Sequence, residues 1–136
     1  LQHTGKRVVV LGEGRDFLIL DAAMNDLVRP SMYGAHHDIV PVAEPPVASP
    51  TQEFDVVGPV CETGDTFAKG RDLPLVTEGA LVAFRSAGAY GAVMASDYNT
   101  RPLIPEVLAN GDQFAVIRAR PSFDEILKRD TIPEWL

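Results

Sequence analysis

Short apolar runs bounded by glycine or proline limit the folds that this chain can adopt. They lie at residues 8–11, 17–20, 39–42, 54–60 and 81–84 and are rich in β-branched and aromatic side chains, as β-strands are. Gly and Pro number 11 each among 136 residues, so turns are frequent. The pattern predicts a mainly β chain, a barrel or a sandwich, with short helical inserts.

Two pairs of runs predict β-hairpins. A glycine-bearing loop separates residues 8–11 from residues 17–20. Near the C-terminus, residues 106–109 and 113–118 flank an Asn-Gly dipeptide at 110–111. Asn-Gly favours the two positive φ values of a type I′ turn, so the second hairpin is the more sharply predicted of the two.

Three segments predict short helices. Residues 21–33 are helix-compatible, and we expect Pro30 to end a short helix or an irregular turn there. Residues 90–96 have room for one or two helical turns. Ser122 and Glu125 have the spacing of a capping box, in which the serine accepts from the glutamate backbone and the glutamate accepts in return.

The charge balance and the single cysteine exclude several classes of protein. Lys and Arg number 12 against 19 Asp and Glu, a net charge of −7, so nucleic-acid binding is disfavoured. The apolar runs are too short to cross a bilayer. One cysteine excludes an internal disulfide and any CxxC metal site. We therefore expect no metal, no nucleic acid and no membrane contact. The length of 136 residues is typical of one domain, so we expect a single domain over residues 1–136.

Cys61 is the residue with the clearest chemical potential. A lone cysteine is usually a small buried core residue. Here it follows Gly58 and Pro59 and precedes Glu62, which places it at the end of a strand, where catalytic groups concentrate. From the residues alone, core packing and acid–base or nucleophilic chemistry both stay open.

Other polar residues also allow two interpretations. Arg29 and Tyr33 are four residues apart and form either a carboxylate clamp or an exposed arginine beside a half-buried tyrosine. Tyr90 lies among small residues that would let a ligand approach, or it is a packed corner tyrosine. The adjacent His36 and His37 would point to opposite faces of a strand, so we assign them structural roles.

Four segments together resemble one enzyme family. Residues 21–33, 57–65, 88–91 and 98–102 are similar, in order and spacing, to segments of diaminopimelate decarboxylases. These are pyridoxal-phosphate enzymes of the alanine-racemase-like fold type, and the resemblance covers nearly the whole chain.

The resemblance implies a two-domain enzyme in which an N-terminal (β/α)8 barrel precedes a C-terminal β-domain. This chain resembles the β-domain only. The family's barrel carries the lysine that forms the Schiff base with pyridoxal phosphate, and Lys6, Lys69 and Lys128 do not stand in that lysine's context. We therefore expect the isolated chain to be inactive and to hold no covalent cofactor.

The resemblance also assigns roles to five residues. Cys61 matches the proton donor and Glu62 the group that binds the substrate's distal amino group. Arg29 and Tyr33 match substrate-binding positions, and Tyr90 matches a contact to cofactor and substrate. The implied reaction converts meso-2,6-diaminopimelate to L-lysine and CO2, the last step of lysine biosynthesis, in a cytoplasmic homodimer whose Cys-Glu pair reaches across to the partner's cofactor.

Two alternatives remain at this point. An ornithine- or arginine-type decarboxylase would share the fold, although relatives of that type commonly have Asp after the cysteine, where this chain has Glu62. A non-catalytic β-domain acting in dimerisation or regulation is the second alternative. The intact Cys61-Glu62 pair and Tyr90 argue against it.

Overall fold

The chain is built mainly of short strands, as the sequence predicts. The computed structural model describes residues 2–8 and 14–136, and their contacts divide the chain into two compact units, Leu1–Ala95 and Ser96–Leu136. The elements of the first unit are β1 Gln2–Val8, β2 Phe17–Leu20, α1 Arg29–Tyr33, β3 Ile39–Pro41, β4 Thr51–Val57, β5 Thr66–Pro74, β6 Leu81–Phe84 and α2 Gly88–Val93. The second unit contains a 3-10 turn at Tyr98–Thr100, β7 Glu106–Asn110, β8 Gln113–Arg118 and α3 Phe123–Leu127.

The first unit is organised by a six-stranded sheet in the order β3-β6-β1-β2-β4-β5. β1 pairs antiparallel with β2, from Val8 opposite Phe17 to Gly5 opposite Leu20, which confirms the first hairpin. The predicted strand residues 9–11 lie outside the described part of the chain. β2 runs parallel to β4, and the other neighbours are antiparallel. Among the described strands no pairing joins β3 to β5, so the predicted barrel closure is not observed there.

One apolar core lies against this sheet. β2 alternates as a half-buried strand should, with Leu18 and Leu20 buried between more exposed neighbours. Phe54 on β4 is 1% exposed and is among the largest fully buried side chains. The remaining buried members are Ala22, Leu27, Ile39, Val56, Phe67, Ala68, Leu73, Val82 and Phe84. The core includes residues from the segment before α1 and from strands β4 and β5, so it anchors the segments that carry candidate site residues.

Of the two alternatives for residues 21–33, the irregular turn is confirmed before Pro30, but Pro30 does not end a helix. Pro30 lies in the first turn of α1, whose helix begins at Arg29. Proline is well tolerated there because its missing N–H would have no helical acceptor and its φ is already helical. The residues before it, 21–28, form a turn region instead of a helix.

The longest strand of the first unit was not predicted. β5 has nine residues and carries Lys69, Gly70, Arg71 and Asp72 in its middle, so it lacks an apolar run. Its pairing with β4 contains register shifts. The amide of Gly70 donates to Asp55 Oδ1 at 2.8 Å. These long-range contacts, and not a local pattern, define the strand.

The second unit confirms two local predictions and corrects a third. β7 and β8 pair antiparallel down to Asn110 opposite Gln113. The two loop residues are thus Gly111 and Asp112, and only Gly111 has a positive φ, of 61°. A type I′ turn needs two positive φ values, so that part of the prediction is wrong.

α3 begins with a complete capping box, as predicted. Ser122 Oγ accepts from the Glu125 amide, and the Glu125 carboxylate accepts from the Ser122 amide at 2.7 Å. These hydrogen bonds lower the pKa of the Glu125 carboxyl, because the backbone N–H and the hydroxyl of Ser122 both favour its charged form. In the described residues, no helix is long and apolar enough to cross a membrane.

Candidate functional site

Helix α1 carries two of the predicted site residues. The helix ends at Gly34, which adopts φ 62° and donates from its amide to the Pro30 carbonyl at 2.9 Å. Arg29 and Tyr33 are four residues apart, so they share one face of the helix. Tyr33 is 63% exposed and Arg29 is half-buried. The expectation of a half-buried tyrosine is wrong, and the phenol is open to a ligand.

Helix α2 brings a third predicted residue beside α1. The Cζ atom of Arg29 lies 5.7 Å from the centre of the Tyr90 ring, within the range of a cation–π interaction. Tyr90 is 63% exposed, so it is not a packed corner tyrosine. Gly91, the next residue, is buried, with Ala87 and Leu27 nearest to the position that a Cβ would take. α2 therefore packs through Gly91 while Tyr90 faces outward.

Cys61 and Glu62 lie together on a hydrogen-bonded turn between β4 and β5. Both side chains are exposed, so the interpretation of Cys61 as a core residue is wrong. The amide of Glu62 donates to the Val60 carbonyl at 2.8 Å, and the Asp65 amide donates to the Glu62 carbonyl at 3.1 Å. The amide of Gly58 closes the turn by donating to the Asp65 carbonyl at 3.0 Å. The pair therefore stands on an ordered loop.

Asp65 is a residue whose role the sequence did not reveal. Its side chain is only 3% exposed. Oδ2 accepts from the Val60 amide at 2.7 Å, and Oδ1 accepts from the Met24 amide at 2.7 Å. A Cβ at Gly58 would lie 2.6 Å from Asp65 Cγ and closer still to both oxygens, so only glycine leaves room for this carboxylate. The sequence shows a turn-forming aspartate there, but not its partner 41 residues away.

Gly64 lies between helix α1 and the Glu62 side chain. The position that a Cβ would take on Gly64 is 3.0 Å from Ser31 Oγ and 3.1 Å from Glu62 Oε1. A side chain at Gly64 would therefore displace Ser31, Glu62 or both. The turn and the helix thus approach each other at Gly64 as well as through Asp65.

Four of the five predicted site residues are exposed, and Arg29 is half-buried. A cavity of about 390 Å³ lies beside α1 and is lined by Ser31, Thr63, Lys69 and Arg71 among others, but by none of the five predicted residues. The structure therefore forms two exposed groups of side chains, one on α1 and α2 and one on the turn. Within residues 2–8 and 14–136, no cluster of three or more His, Cys, Asp or Glu side chains is arranged to hold a metal ion.

The adjacent histidines differ in their surroundings. His37 is buried, and its Nδ1 lies 3.1 Å from the Arg85 carbonyl oxygen. His36 is exposed, and its Nδ1 lies 3.0 Å from Arg71 Nη2. Arg71 Nη1 also donates to the His37 carbonyl at 3.1 Å. These contacts join the segment after α1 to β5 and so support the structural role predicted for both.

Comparison with known proteins gives a consistent family. Residues 3–88 match the model of the pyridoxal-dependent decarboxylase C-terminal sheet domain. The chain is 51% identical, over 88% of its length, to a diaminopimelate decarboxylase of Zymomonas mobilis, and covers 28% of that protein. It is 46% identical, over 90% of its length, to one of Archaeoglobus fulgidus, of which it covers 29%.

A solved structure agrees with these sequence relatives. The crystal structure of diaminopimelate decarboxylase from Helicobacter pylori complexed with L-lysine superposes with a TM-score of 0.79 at 38% identity. The match covers 94% of this chain and 30% of that chain. The chain thus spans less than a third of the length of these relatives. It belongs to the pyridoxal-dependent decarboxylases and matches their C-terminal sheet domain.

Proposed function

We propose that residues 1–136 are the C-terminal β-domain of a diaminopimelate decarboxylase, which converts meso-2,6-diaminopimelate to L-lysine and CO2. The observation that carries the proposal is the ordered turn that presents Cys61 and Glu62 beside helix α1 with Arg29. The relatives of that name, 46% and 51% identical to this chain, support it. The relative crystallised with L-lysine supports an amino acid of this kind as the ligand.

The charges of the site match the distal end of diaminopimelate. That end carries both a carboxylate and an ammonium group. Arg29 offers a planar set of N–H donors and Tyr33 offers a hydroxyl, which suits the carboxylate. Glu62 offers acceptor oxygens for the ammonium group. Lysine, ornithine and arginine lack the distal carboxylate, so Arg29 and Tyr33 would favour diaminopimelate over them.

Cys61 is the proposed proton donor. When CO2 leaves the substrate, the electron pair of the broken C–C bond stays at Cα, and lysine forms when that carbon takes a proton. A thiol is a stronger acid than a hydroxyl, and the exposed Cys61 Sγ is free to reach a substrate. Solvent then returns a proton to the thiolate.

The family depends on pyridoxal phosphate, and Tyr90 is the residue of this chain that fits it. When bound, the cofactor supplies an electron sink for the charge left at Cα. Tyr90 has an exposed hydroxyl that can donate to a phosphate oxygen, and the nearby Arg29 adds positive charge. We propose that the lysine that binds the cofactor covalently lies in an N-terminal (β/α)8 barrel of the longer protein.

Because the five site residues are not enclosed, we expect surfaces of further protein to complete the substrate-binding site. None of the five site residues lines the 390 Å³ cavity, so no enclosed substrate pocket surrounds them within residues 2–8 and 14–136. In the second unit, Leu108, Phe114 and Trp135 are exposed apolar side chains, as expected of surfaces that contact further protein. We propose a homodimer with shared active sites, in which the Cys-Glu pair faces the partner's cofactor. We place it in the cytoplasm, where thiols stay reduced.

The first test removes the proposed proton donor from the full-length enzyme. Cys61→Ala should lower kcat by about 10²- to 10⁴-fold, the usual contribution of a positioned general acid. The absorbance of the bound cofactor should persist, because Cys61 does not hold it. Thr63→Ala is the matched control, since Thr63 is exposed on the same turn. Normal turnover of Cys61→Ala would remove Cys61 from the mechanism.

The second test concerns Glu62. Glu62→Asp shortens the side chain by one methylene and should weaken the preference for diaminopimelate over lysine and ornithine. Glu78→Asp is the control, because Glu78 is an exposed glutamate outside this turn. Ratios of kcat/KM for the three substrates are the measurement. An unchanged order and spacing of these ratios would remove Glu62 from substrate recognition.

A further inference from the structure

Asp65 connects the two groups of proposed site residues. Its buried carboxylate accepts from the amide of Val60, which directly precedes Cys61, and from the amide of Met24. Met24 lies in the segment that leads into α1 and Arg29. The two donors come from different segments of the chain, so one side chain joins the proton donor's turn to the segment that leads into the substrate-binding helix.

Both ends of this connection are fixed by further contacts. On the turn side, the backbone bonds among Gly58, Glu62 and Asp65 hold the loop that displays Cys61. On the helix side, the Met32 amide donates to the Val28 carbonyl at 2.9 Å, which starts α1 directly after this segment. A shift of the Asp65 carboxylate would therefore move the loop relative to the helix.

A carboxylate is needed here because both of its oxygens accept. Asparagine at position 65 would offer one acceptor oxygen and one NH2 group, and that NH2 group would face a backbone N–H. Hydrogen bonds to a charged acceptor are also about twice as strong as neutral ones. The absence of a side chain at Gly58 leaves the space that the carboxylate occupies.

We propose that Asp65 is a positioning residue, which ties the Cys61 turn to the segment before α1 of its own chain and so sets where the Cys61 thiol reaches in the partner's site. The proposal rests on the proposed function. Its consequence is chemical as well as structural. Loss of CO2 requires the substrate and cofactor, but formation of lysine also requires the Cys61 proton to arrive at Cα. A displaced turn should therefore harm proton delivery more than CO2 release.

The measurement is the amount of CO2 released per lysine formed by the full-length enzyme acting on diaminopimelate. Wild-type enzyme releases one CO2 for each lysine, as the reaction's stoichiometry demands. In Asp65→Asn, lysine formation should fall roughly 10- to 100-fold, as misplacement of a reacting group by about 1 Å does. CO2 should exceed lysine, because a substrate that has lost CO2 but is not protonated at Cα would leave as an aldehyde after hydrolysis, while its amino group and the electron pair would stay with the cofactor.

Asp55→Asn is the matched control. Asp55 is half-buried, its Oδ1 accepts from the Gly70 amide at 2.8 Å, and its Oδ2 accepts from Arg15 Nη1 at 3.5 Å. Both of its oxygens accept, as in Asp65, but neither partner belongs to the Cys61 turn or to the segment before α1. This variant therefore reports general destabilisation. The ratio of CO2 to lysine should stay at one in this variant.

The outcomes separate this proposal from the proposed function. Excess CO2 in Asp65→Asn and in Cys61→Ala, but not in Asp55→Asn, supports both. A ratio of one in Asp65→Asn, with excess CO2 in Cys61→Ala, overturns the positioning role alone. A ratio of one and normal turnover in Cys61→Ala overturn the proton-donor role first. If Asp65→Asn does not fold, Asp65→Glu decides by the same ratio, since it keeps both oxygens but moves them outward by one methylene.

Discussion

Substitution of Gly58 gives a specific prediction, because an added side chain would act on one buried carboxylate, that of Asp65. In Gly58→Ala, the new methyl group would overlap Asp65, whose Cγ lies 2.6 Å from the position of the added Cβ. Either the carboxylate or the turn must move. The hydrogen bonds at risk are those from the amides of Val60 and Met24, both 2.7 Å long.

The magnitude follows from these two bonds. A hydrogen bond to a charged group contributes about 1.5–3 kcal/mol. Replacing glycine by alanine at an unstrained position stabilises by about 0.4–1 kcal/mol through the unfolded state. Losing both bonds at Asp65 therefore outweighs the gain, and we expect the turn to be weakened by about 2–5 kcal/mol. Since about 1.4 kcal/mol is a factor of ten, local opening should become about 30- to 5,000-fold more frequent.

Amide hydrogen exchange in the full-length protein measures this opening directly. Exchange at Val60 and Met24 should accelerate by that factor in Gly58→Ala. Gly88→Ala is the control, because nothing lies within 4 Å of the position that a Cβ would take on Gly88. Unchanged exchange at both amides in Gly58→Ala would refute the role given to Asp65 and Gly58, as would equal acceleration in the control.

Three further predictions concern the core, the terminal helix and the substrate arm. Phe54→Ala should lower the free energy of unfolding of the full-length protein in urea by about 3–5 kcal/mol. Val47→Ala changes a fully exposed valine and should alter that free energy by no more than about 0.5 kcal/mol. Equal losses in the two variants would contradict the assigned core. The lowered pKa of the Glu125 carboxyl means that its charged form stabilises α3. The Glu125 amide should therefore be fully protected from hydrogen exchange at pH values above the ordinary carboxyl pKa. This protection should be lost as the pH falls through the lowered pKa. Ser122→Ala should abolish this pH dependence, and a dependence that persists in this variant would rule out the capping box as its cause. Arg29→Lys should raise KM for diaminopimelate more than it lowers kcat, because lysine cannot make a planar two-bond contact to a carboxylate; a change in kcat alone would contradict a binding role.

Local signals in the sequence were enough for several elements. The capping box at Ser122 and the β7–β8 hairpin depend on residues a few positions apart, and both form as expected. Even in the β7–β8 hairpin, the φ values of the turn residues depend on which residue pair lies next to the turn. Asn110 pairs with Gln113 and leaves Gly111 as the residue with a positive φ.

Long-range contacts account for what the sequence did not show. β5 has a polar centre and exists because it pairs with β4, and β2 lies beside β4 although more than 30 residues separate them. No local pattern specifies such pairings. The burial of Asp65 likewise depends on Met24, 41 residues earlier. The family resemblance identifies the candidate side chains in the sequence. It does not indicate that the Asp65 carboxylate connects the segments that carry them.

The substrate preference of the full-length enzyme tests the central claim most directly. The measurement compares kcat/KM for meso-diaminopimelate with that for D-lysine. Because the reaction leaves L-lysine, the reacting centre of diaminopimelate is the D centre, and D-lysine keeps that centre and lacks only the distal carboxylate. We predict a preference for diaminopimelate of about 10³-fold or more, because Arg29 and Tyr33 would otherwise be left without their charged partner. Equal or faster decarboxylation of D-lysine, or of L-lysine or ornithine, would contradict the account.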